Sequence, residues 1–110
     1  MPNGGKRSPN VAWIANERWQ SLALEEQEKF SQICPDFVIE LRSRSDSLKL
    51  LQEKMQEYLN SGLRLGWLID LQNQQVEIYR QNKPIKIVKL PTSLSGENVL
   101  PGFVLELPLF

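Results

Sequence analysis

One amphipathic helix between a strand and a hairpin restricts the possible folds of this chain more than any other feature. Residues 47–61 repeat apolar side chains at every third or fourth position, and Gly62 follows as the terminator. Residues 37–41 before it form the clearest strand, with large apolar side chains at every second position. Residues 66–70 and 76–80, joined by a polar stretch, predict a β-hairpin. This order predicts an α/β (α+β) domain in which one principal helix crosses a mixed, mainly antiparallel sheet.

The segment before the first clear strand is predicted to hold only short elements. Asn3-Gly4-Gly5 has the chemistry of a hairpin turn, and a short apolar run follows at residues 11–14. Asn16 is expected to cap a short helix that begins near Glu17, and residues 24–31 are polar and at most helical. Because a hairpin turn normally joins two strands and the chain begins at this turn, a preceding strand is expected to be missing.

The segment after the hairpin is predicted to add one strand and a docked tail. Residues 85–90 follow an Asn-Lys-Pro turn and are expected to form a third sequential strand. Residues 91–110 are rich in turn residues and end in an apolar run, which favours a docked tail with a short edge strand. A chain of 110 residues has room for one domain, so residues 1–110 are expected to form a single unit.

The composition excludes several kinds of catalytic centre. The chain contains no histidine, which excludes a Ser-His-Asp triad, a Cys-His pair and an imidazole-bound metal. Its single cysteine, Cys34, excludes an internal disulfide and a zinc site made of thiolates. Any metal site must therefore use oxygen ligands, which suit magnesium, manganese or calcium.

The charge balance and the hydropathy pattern restrict partners and compartment. Thirteen basic residues balance thirteen acidic ones, so the chain lacks the strongly basic footprint of a dedicated DNA-binding module. No apolar run approaches the ~20 residues that cross a bilayer, and the first residues do not resemble a secretory signal. We therefore expect a cytoplasmic protein without a membrane partner.

An acid in the middle of an apolar strand is the first residue that needs a chemical explanation. Glu40 lies beneath the expected helix, where a carboxylate is costly to bury unless it binds a cation or accepts several hydrogen bonds. The alternative is a satisfied glutamate at an exposed edge. Arg42 shares its strand face and could pair with it. Lys54, at the edge of the apolar stripe of the helix, could aim its ammonium at the sheet or extend to water.

The remaining candidate residues have simpler interpretations. Asp36 follows a proline, where turn chemistry is sufficient explanation. Asp46 is expected to cap the long helix, and Asp70 to end a strand. Cys34 has no partner base in its neighbourhood and is expected to be a small buried residue. The tryptophans are expected to be core or interface aromatics: Trp13, Trp19 and Trp67.

Six segments occur in an order that resembles one known family. They are Pro2–Trp13, Cys34–Ser43, Lys54–Tyr58, Gly66–Asp70, Val76–Arg80 and Pro101–Phe103. Together they cover nearly the whole chain and resemble the Uma-type restriction endonuclease-like family, a branch of the PD-(D/E)xK nuclease superfamily. The resemblance implies a central mixed sheet flanked by helices. It also implies hydrolysis of phosphodiester bonds in DNA with magnesium or manganese as the cofactor.

The resemblance assigns roles to three residues. The family's first acid, which follows a proline, corresponds to Asn10, and its second acid corresponds to Glu40. These two positions are implied to hold the metal. Arg42 stands where the motif lysine is expected, and the family's lysine on the following helix matches Lys54. That lysine is implied to neutralise charge on the phosphate or to orient the attacking water.

Two departures from the family pattern bear on activity. Asn10 is a neutral amide where the family has a carboxylate, and the leading helix and first strand of the family are expected to be absent. We therefore expect an incomplete nuclease-like domain with impaired cleavage and weak binding of DNA in isolation. The alternative is an inactive remnant that associates with another copy or with an intact homologous subunit, or that binds DNA without cutting it.

Overall fold

Two sheets and three helices form the described part of the chain, which is residues 11–28 and 34–110 of a computed structural model. The helices are α1 (Asn16–Ser21), α2 (Leu24–Glu28) and α3 (Leu48–Asn60). The strands are β1 (Val11–Trp13), β2 (Phe37–Arg42), β3 (Leu65–Asp70), β4 (Gln75–Arg80), β5 (Lys86–Lys89), β6 (Thr92–Ser95) and β7 (Val104–Leu107). The Asn3–Gly5 turn and Asn10 lie outside the described residues.

The main sheet confirms the predicted mixed, mainly antiparallel architecture. Its strands lie in the order β1-β2-β3-β4-β5. Strands β2 and β3 are parallel, and the other three neighbouring pairs are antiparallel. A parallel pair needs a long crossover connection, and α3 supplies it between β2 and β3. This connection places α3 across one face of the sheet, which we call the helix face.

Helix α3 begins and ends at residues whose chemistry suits those positions. The Ser47 side chain accepts a hydrogen bond from the backbone N–H of Leu50 at 3.3 Å, as an N-cap does. At the other end Gly62 has φ of 110°, and its N–H donates to the Leu59 carbonyl at 3.1 Å. The N–H of Leu63 donates to the Tyr58 carbonyl at 3.0 Å, which completes a Schellman motif. The helix therefore has defined limits close to those predicted.

The helix face buries a small apolar core between α3 and the sheet. Its buried members are Val38, Met55, Leu63, Leu68 and Tyr79. Gly66 of β3 allows the closest approach, because a Cβ there would lie 2.6 Å from the Met55 methyl group and 2.8 Å from a Leu63 methyl group. The absence of a side chain at this point lets α3 lie directly on the sheet.

The opposite face of the sheet is covered by the C-terminal segment. Strands β6 and β7 pair with each other in a separate two-stranded sheet, and Leu94 of β6 is buried against the main core. Trp67 lies edge-on to Phe37, with ring centroids 4.9 Å apart, and stacks on Phe103 at 6.1 Å. The predicted docked tail is therefore present, but its strands form their own sheet instead of extending the edge of the main one.

Two predicted helix caps are wrong. Helix α1 begins at Asn16 itself, and its N-cap is Ala15, which makes no side-chain capping bond. Asp46 does not cap α3, because its carboxylate reaches back to Ser43 and accepts from the backbone N–H at 2.9 Å and from the hydroxyl at 2.7 Å. These bonds close the loop before α3 and hold the pKa of Asp46 below its usual value, the backbone bond being the larger cause.

Within residues 11–28 and 34–110, none of the helices is long and apolar enough to cross a membrane.

The packing of α3 on the sheet generates the first prediction. Met55→Ala removes a fully buried side chain and should lower the free energy of unfolding by about 2–5 kcal/mol. Glu53→Ala, on the exposed side of the same helix, should change it by less than about 0.5 kcal/mol. Urea denaturation monitored by tryptophan fluorescence measures both values. Equal effects of the two substitutions would contradict the observed orientation of α3.

Candidate active site

Glu40 and Lys54 form an ion pair between β2 and α3. The Lys54 Nζ lies 3.1 Å from Glu40 Oε2. Only 4% of the Glu40 side chain and 14% of the Lys54 side chain are exposed. Glu40 occupies the helix face because it is in register with Leu68 of β3, which belongs to the core beneath α3. The structure therefore brings these two predicted site residues into direct contact.

The pair follows from the local placement of Lys54 on its helix. Lys54 precedes the fully buried Met55, so its Cα lies at the flank of the sheet-facing stripe. From this position the aliphatic stem covers apolar surface while the ammonium reaches Glu40. Of the two alternatives left open by the sequence, extension to water and approach to the sheet, the structure shows the second. Burying such a pair costs desolvation energy for both partners, so its presence does not by itself imply a gain in folding stability.

Arg42 pairs with Asp70 at the carboxyl ends of the two parallel strands. Its Nη1 lies 3.2 Å and 3.1 Å from the two carboxylate oxygens of Asp70, and its Nε donates to the Asp46 carbonyl at 3.3 Å. Asp70 is fully buried and also accepts hydrogen bonds from the backbone N–H groups of Gln72 and Asn73 at 3.1 Å and 3.2 Å. Arg42 therefore joins two strand ends and the loop before α3, which is a structural role.

Glu77 is a second buried glutamate on the helix face, and the sequence analysis missed it. It is 2% exposed and lies on β4 in register with Leu68. The Tyr79 hydroxyl donates to Glu77 Oε1 at 2.7 Å, and Gln52 Nε2 of α3 donates to Oε2 at 2.8 Å. Burial, together with the hydrogen bond to Glu77, raises the pKa of Tyr79 far above its usual value. The indicative pattern was an acid between apolar residues of a strand, as at Glu40.

Asp36 does more than form a turn. It is 4% exposed, and its carboxylate accepts a hydrogen bond from the Ala15 N–H at 2.9 Å. Arg18 of α1 lies 3.2 Å from the same carboxylate, and Arg64 lies 3.9 Å from it. Asp36 therefore connects the N-terminal helix to the amino ends of β2 and β3.

Cys34 is half-buried, whereas the sequence predicted a buried residue. Its thiol donates weakly to the Tyr58 carbonyl, at a sulfur–oxygen distance of 3.6 Å. Burial raises the pKa of the Cys34 thiol and outweighs the opposing effect of Arg18. The thiol therefore has little thiolate character at neutral pH, and nucleophilic chemistry at this residue is disfavoured.

The metal-ligand prediction falls partly outside the described residues, because Asn10 does. Among residues 11–28 and 34–110, no cluster of three His, Cys, Asp or Glu side chains could hold a metal ion. The oxygen donors of Glu40 suit magnesium, which proteins commonly bind through one or two carboxylates together with substrate phosphates. Within the described part of the chain, Glu40 is therefore a carboxylate that could act as one such ligand.

The mixed, mainly antiparallel sheet with α3 as its crossover helix matches the fold of a solved nuclease-like protein. Residues 1–108 match the sequence model of the family described as "Uma2: Putative restriction endonuclease", and the chain belongs to this family. A comparison with curated proteins gave no match.

A solved structure agrees with this assignment. The chain is similar to the crystal structure of a putative nuclease belonging to DUF820 from Anabaena variabilis, with a TM-score of 0.62 and 27% sequence identity. The similarity covers 67% of this chain and 42% of that one. The chain therefore spans less than half the length of this relative.

The ion pair generates the second prediction. Lys54→Met removes the lysine ammonium from the buried Glu40 carboxylate and should lower the free energy of unfolding by roughly 3–5 kcal/mol at pH 7. Adding Glu40→Gln in the same chain removes the charge as well and should restore most of the loss. Lys49→Met, an exposed control on the same helix, should change stability by less than about 0.5 kcal/mol. Urea denaturation measures all three, and failure of the double substitution to recover stability would argue against a buried pair.

Proposed function

We propose that this chain is a nuclease domain whose site for phosphodiester hydrolysis in DNA is built on Glu40 and Lys54. The observation that carries the proposal is the 3.1 Å contact between these two buried side chains on one face of the sheet. Membership of a family described as restriction endonucleases supports DNA as the substrate class. The single-domain organisation over residues 1–110 is part of the same proposal.

Glu40 and Lys54 have complementary roles in this proposal. Glu40 is the carboxylate that would hold a magnesium or manganese ion, together with Asn10 at the first ligand position. When bound, that ion polarises the scissile phosphate and lowers the pKa of a water molecule. Lys54 carries a positive charge where negative charge develops on the phosphate, and its partial burial strengthens that interaction. Glu40 orients the lysine before the substrate arrives.

Asn10 supports an alternative function in which the domain does not cleave DNA. An amide contributes one neutral oxygen where a carboxylate would contribute a full charge, and hard cations depend on ligand charge. With Glu40 as the carboxylate ligand among the described residues, metal binding should be weak. The alternative function is then an inactive domain that binds DNA without cutting it or that associates with a second, intact subunit.

A cleavage experiment with matched variants distinguishes the two candidates. We expect Asn10→Asp to raise the rate of plasmid nicking in Mn²⁺ or Mg²⁺ by at least about tenfold, because it adds a charged ligand. In that background Glu40→Gln should lower the rate by at least about 100-fold, since it removes the carboxylate that binds the metal. Glu53→Ala, exposed on α3, should leave it unchanged.

Binding of Mn²⁺, followed by its paramagnetic resonance signal, gives a reading that does not depend on turnover. Asn10→Asp should tighten Mn²⁺ binding, and Glu40→Gln should abolish the gain. Cleavage that persists at full rate in the Glu40→Gln variant would refute the site. Tight Mn²⁺ binding without any cleavage by the Asn10→Asp variant would favour the inactive alternative.

A further inference from the structure

The helix face of the sheet carries two buried glutamates in one row. Glu40 on β2 and Glu77 on β4 are both in register with Leu68 on the strand between them. They are 3% and 2% exposed. Glu40 has a place in the proposed chemistry, whereas Glu77 has none there.

Helix α3 places one polar side chain on each of these acids. Gln52 donates to Glu77 at 2.8 Å, and Lys54 contacts Glu40 at 3.1 Å. Residues two apart in an α-helix, such as Gln52 and Lys54, are separated by roughly 200° around the helix axis. Their side chains therefore leave α3 on opposite flanks. Met55, fully buried against the sheet, lies on the stripe between them. The helix is therefore held on both sides of its contact stripe.

We propose that Glu77 is a positioning residue that, through Gln52, fixes the rotation of α3 and so holds Lys54 over Glu40. A rotation that carries Lys54 away from Glu40 must also carry Gln52 away from Glu77, which would leave a buried carboxylate with one fewer hydrogen bond. This positioning of Lys54 is a property of the fold. Its importance for catalysis rests on the proposed function.

The contacts of Glu77 favour orientation over metal binding. Both carboxylate oxygens accept hydrogen bonds from neutral donors, Tyr79 on its own strand and Gln52 on the helix. Leu68 lies between Glu77 and Glu40 in the row, and Met55 packs in the same cluster. Tyr79 fixes the carboxylate against β4, so Gln52 meets an acceptor that is already oriented.

The test measures the interaction energy between Glu40 and Lys54 with and without the hydrogen bond from Gln52 to Glu77, which we call the anchor. A double-mutant cycle of Glu40→Gln and Lys54→Met expresses the coupling as a ratio of unfolding equilibrium constants. We expect that ratio to fall at least about threefold in a Gln52→Leu/Glu77→Leu background, where both anchor groups are replaced by apolar side chains. An unchanged ratio in that background overturns the proposal.

The conservative variant Glu77→Gln separates anchoring from charge. Its amide oxygen can accept from Gln52, and its amide N–H can donate to the hydroxyl of Tyr79. The coupling ratio should therefore stay within about twofold of the original value. A loss as large as in the Leu/Leu background would mean that the charge of Glu77 matters and not its hydrogen bond, which overturns the positioning role.

A spectroscopic reading covers the case in which the Leu/Leu background does not fold. The chain has two methionines, Met1 and Met55, so the NMR signals of ¹³C-labelled methionine methyl groups can be assigned. The Met55 signal reports the packing of α3 on the sheet. Gln52→Leu should shift the Met55 signal, whereas Gln56→Leu, on the exposed side of the same helix, should not. Equal signals in the Gln52→Leu and original proteins contradict the proposal.

Both readings use the full chain without metal or DNA. Failure of the cleavage experiment therefore leaves the positioning result intact, and an unchanged coupling ratio overturns the positioning role even if cleavage is observed.

Discussion

Burial of carboxylates beneath α3 is the constraint on which the rest of this structure depends. Glu40, Asp70 and Glu77 all lie on the helix face with at most 3% of each residue exposed. Because an uncompensated buried charge is costly, each acid requires donors at a defined place. Lys54 of α3 forms an ion pair with Glu40, and Gln52 of α3 donates a hydrogen bond to Glu77. Arg42 of β2 forms an ion pair with Asp70. The helix is thus held by polar contacts around a narrow apolar stripe, and Gly66 allows that stripe to approach the sheet.

The Glu40–Lys54 ion pair lies where α3 crosses the sheet. The parallel pairing of β2 and β3 requires a crossover, and the crossover helix delivers a lysine to an acid on the first of the two strands. The family match supports a nuclease-like domain. Our proposal adds that Asn10, a neutral amide, occupies the first metal-ligand position. In our proposal the fold retains the positioning of Lys54, and the weakened part is the set of oxygen ligands.

Much of the fold was predictable because its signals are local. The alternation around Phe37, the stripe of α3 and the Gly62 terminator each depend on the periodicity or the backbone preference of a short segment. Glu40 was predictable for the same reason, since an acid within an apolar strand conflicts with its surroundings. The caps at Asn16 and Asp46 were predicted wrongly, because several polar residues compete for each helix start and the loop geometry selects among them.

The sequence did not show which side chains contact the buried acids. The sequence by itself determined which residues are acids in apolar strands and where the principal helix ends. Only the tertiary structure decided that Arg42 binds Asp70, that Lys54 binds Glu40 and that Glu77 binds Gln52. The physical reason is that these partners are 14 to 28 positions apart along the chain, and strand register and helix rotation alone bring them within hydrogen-bonding distance.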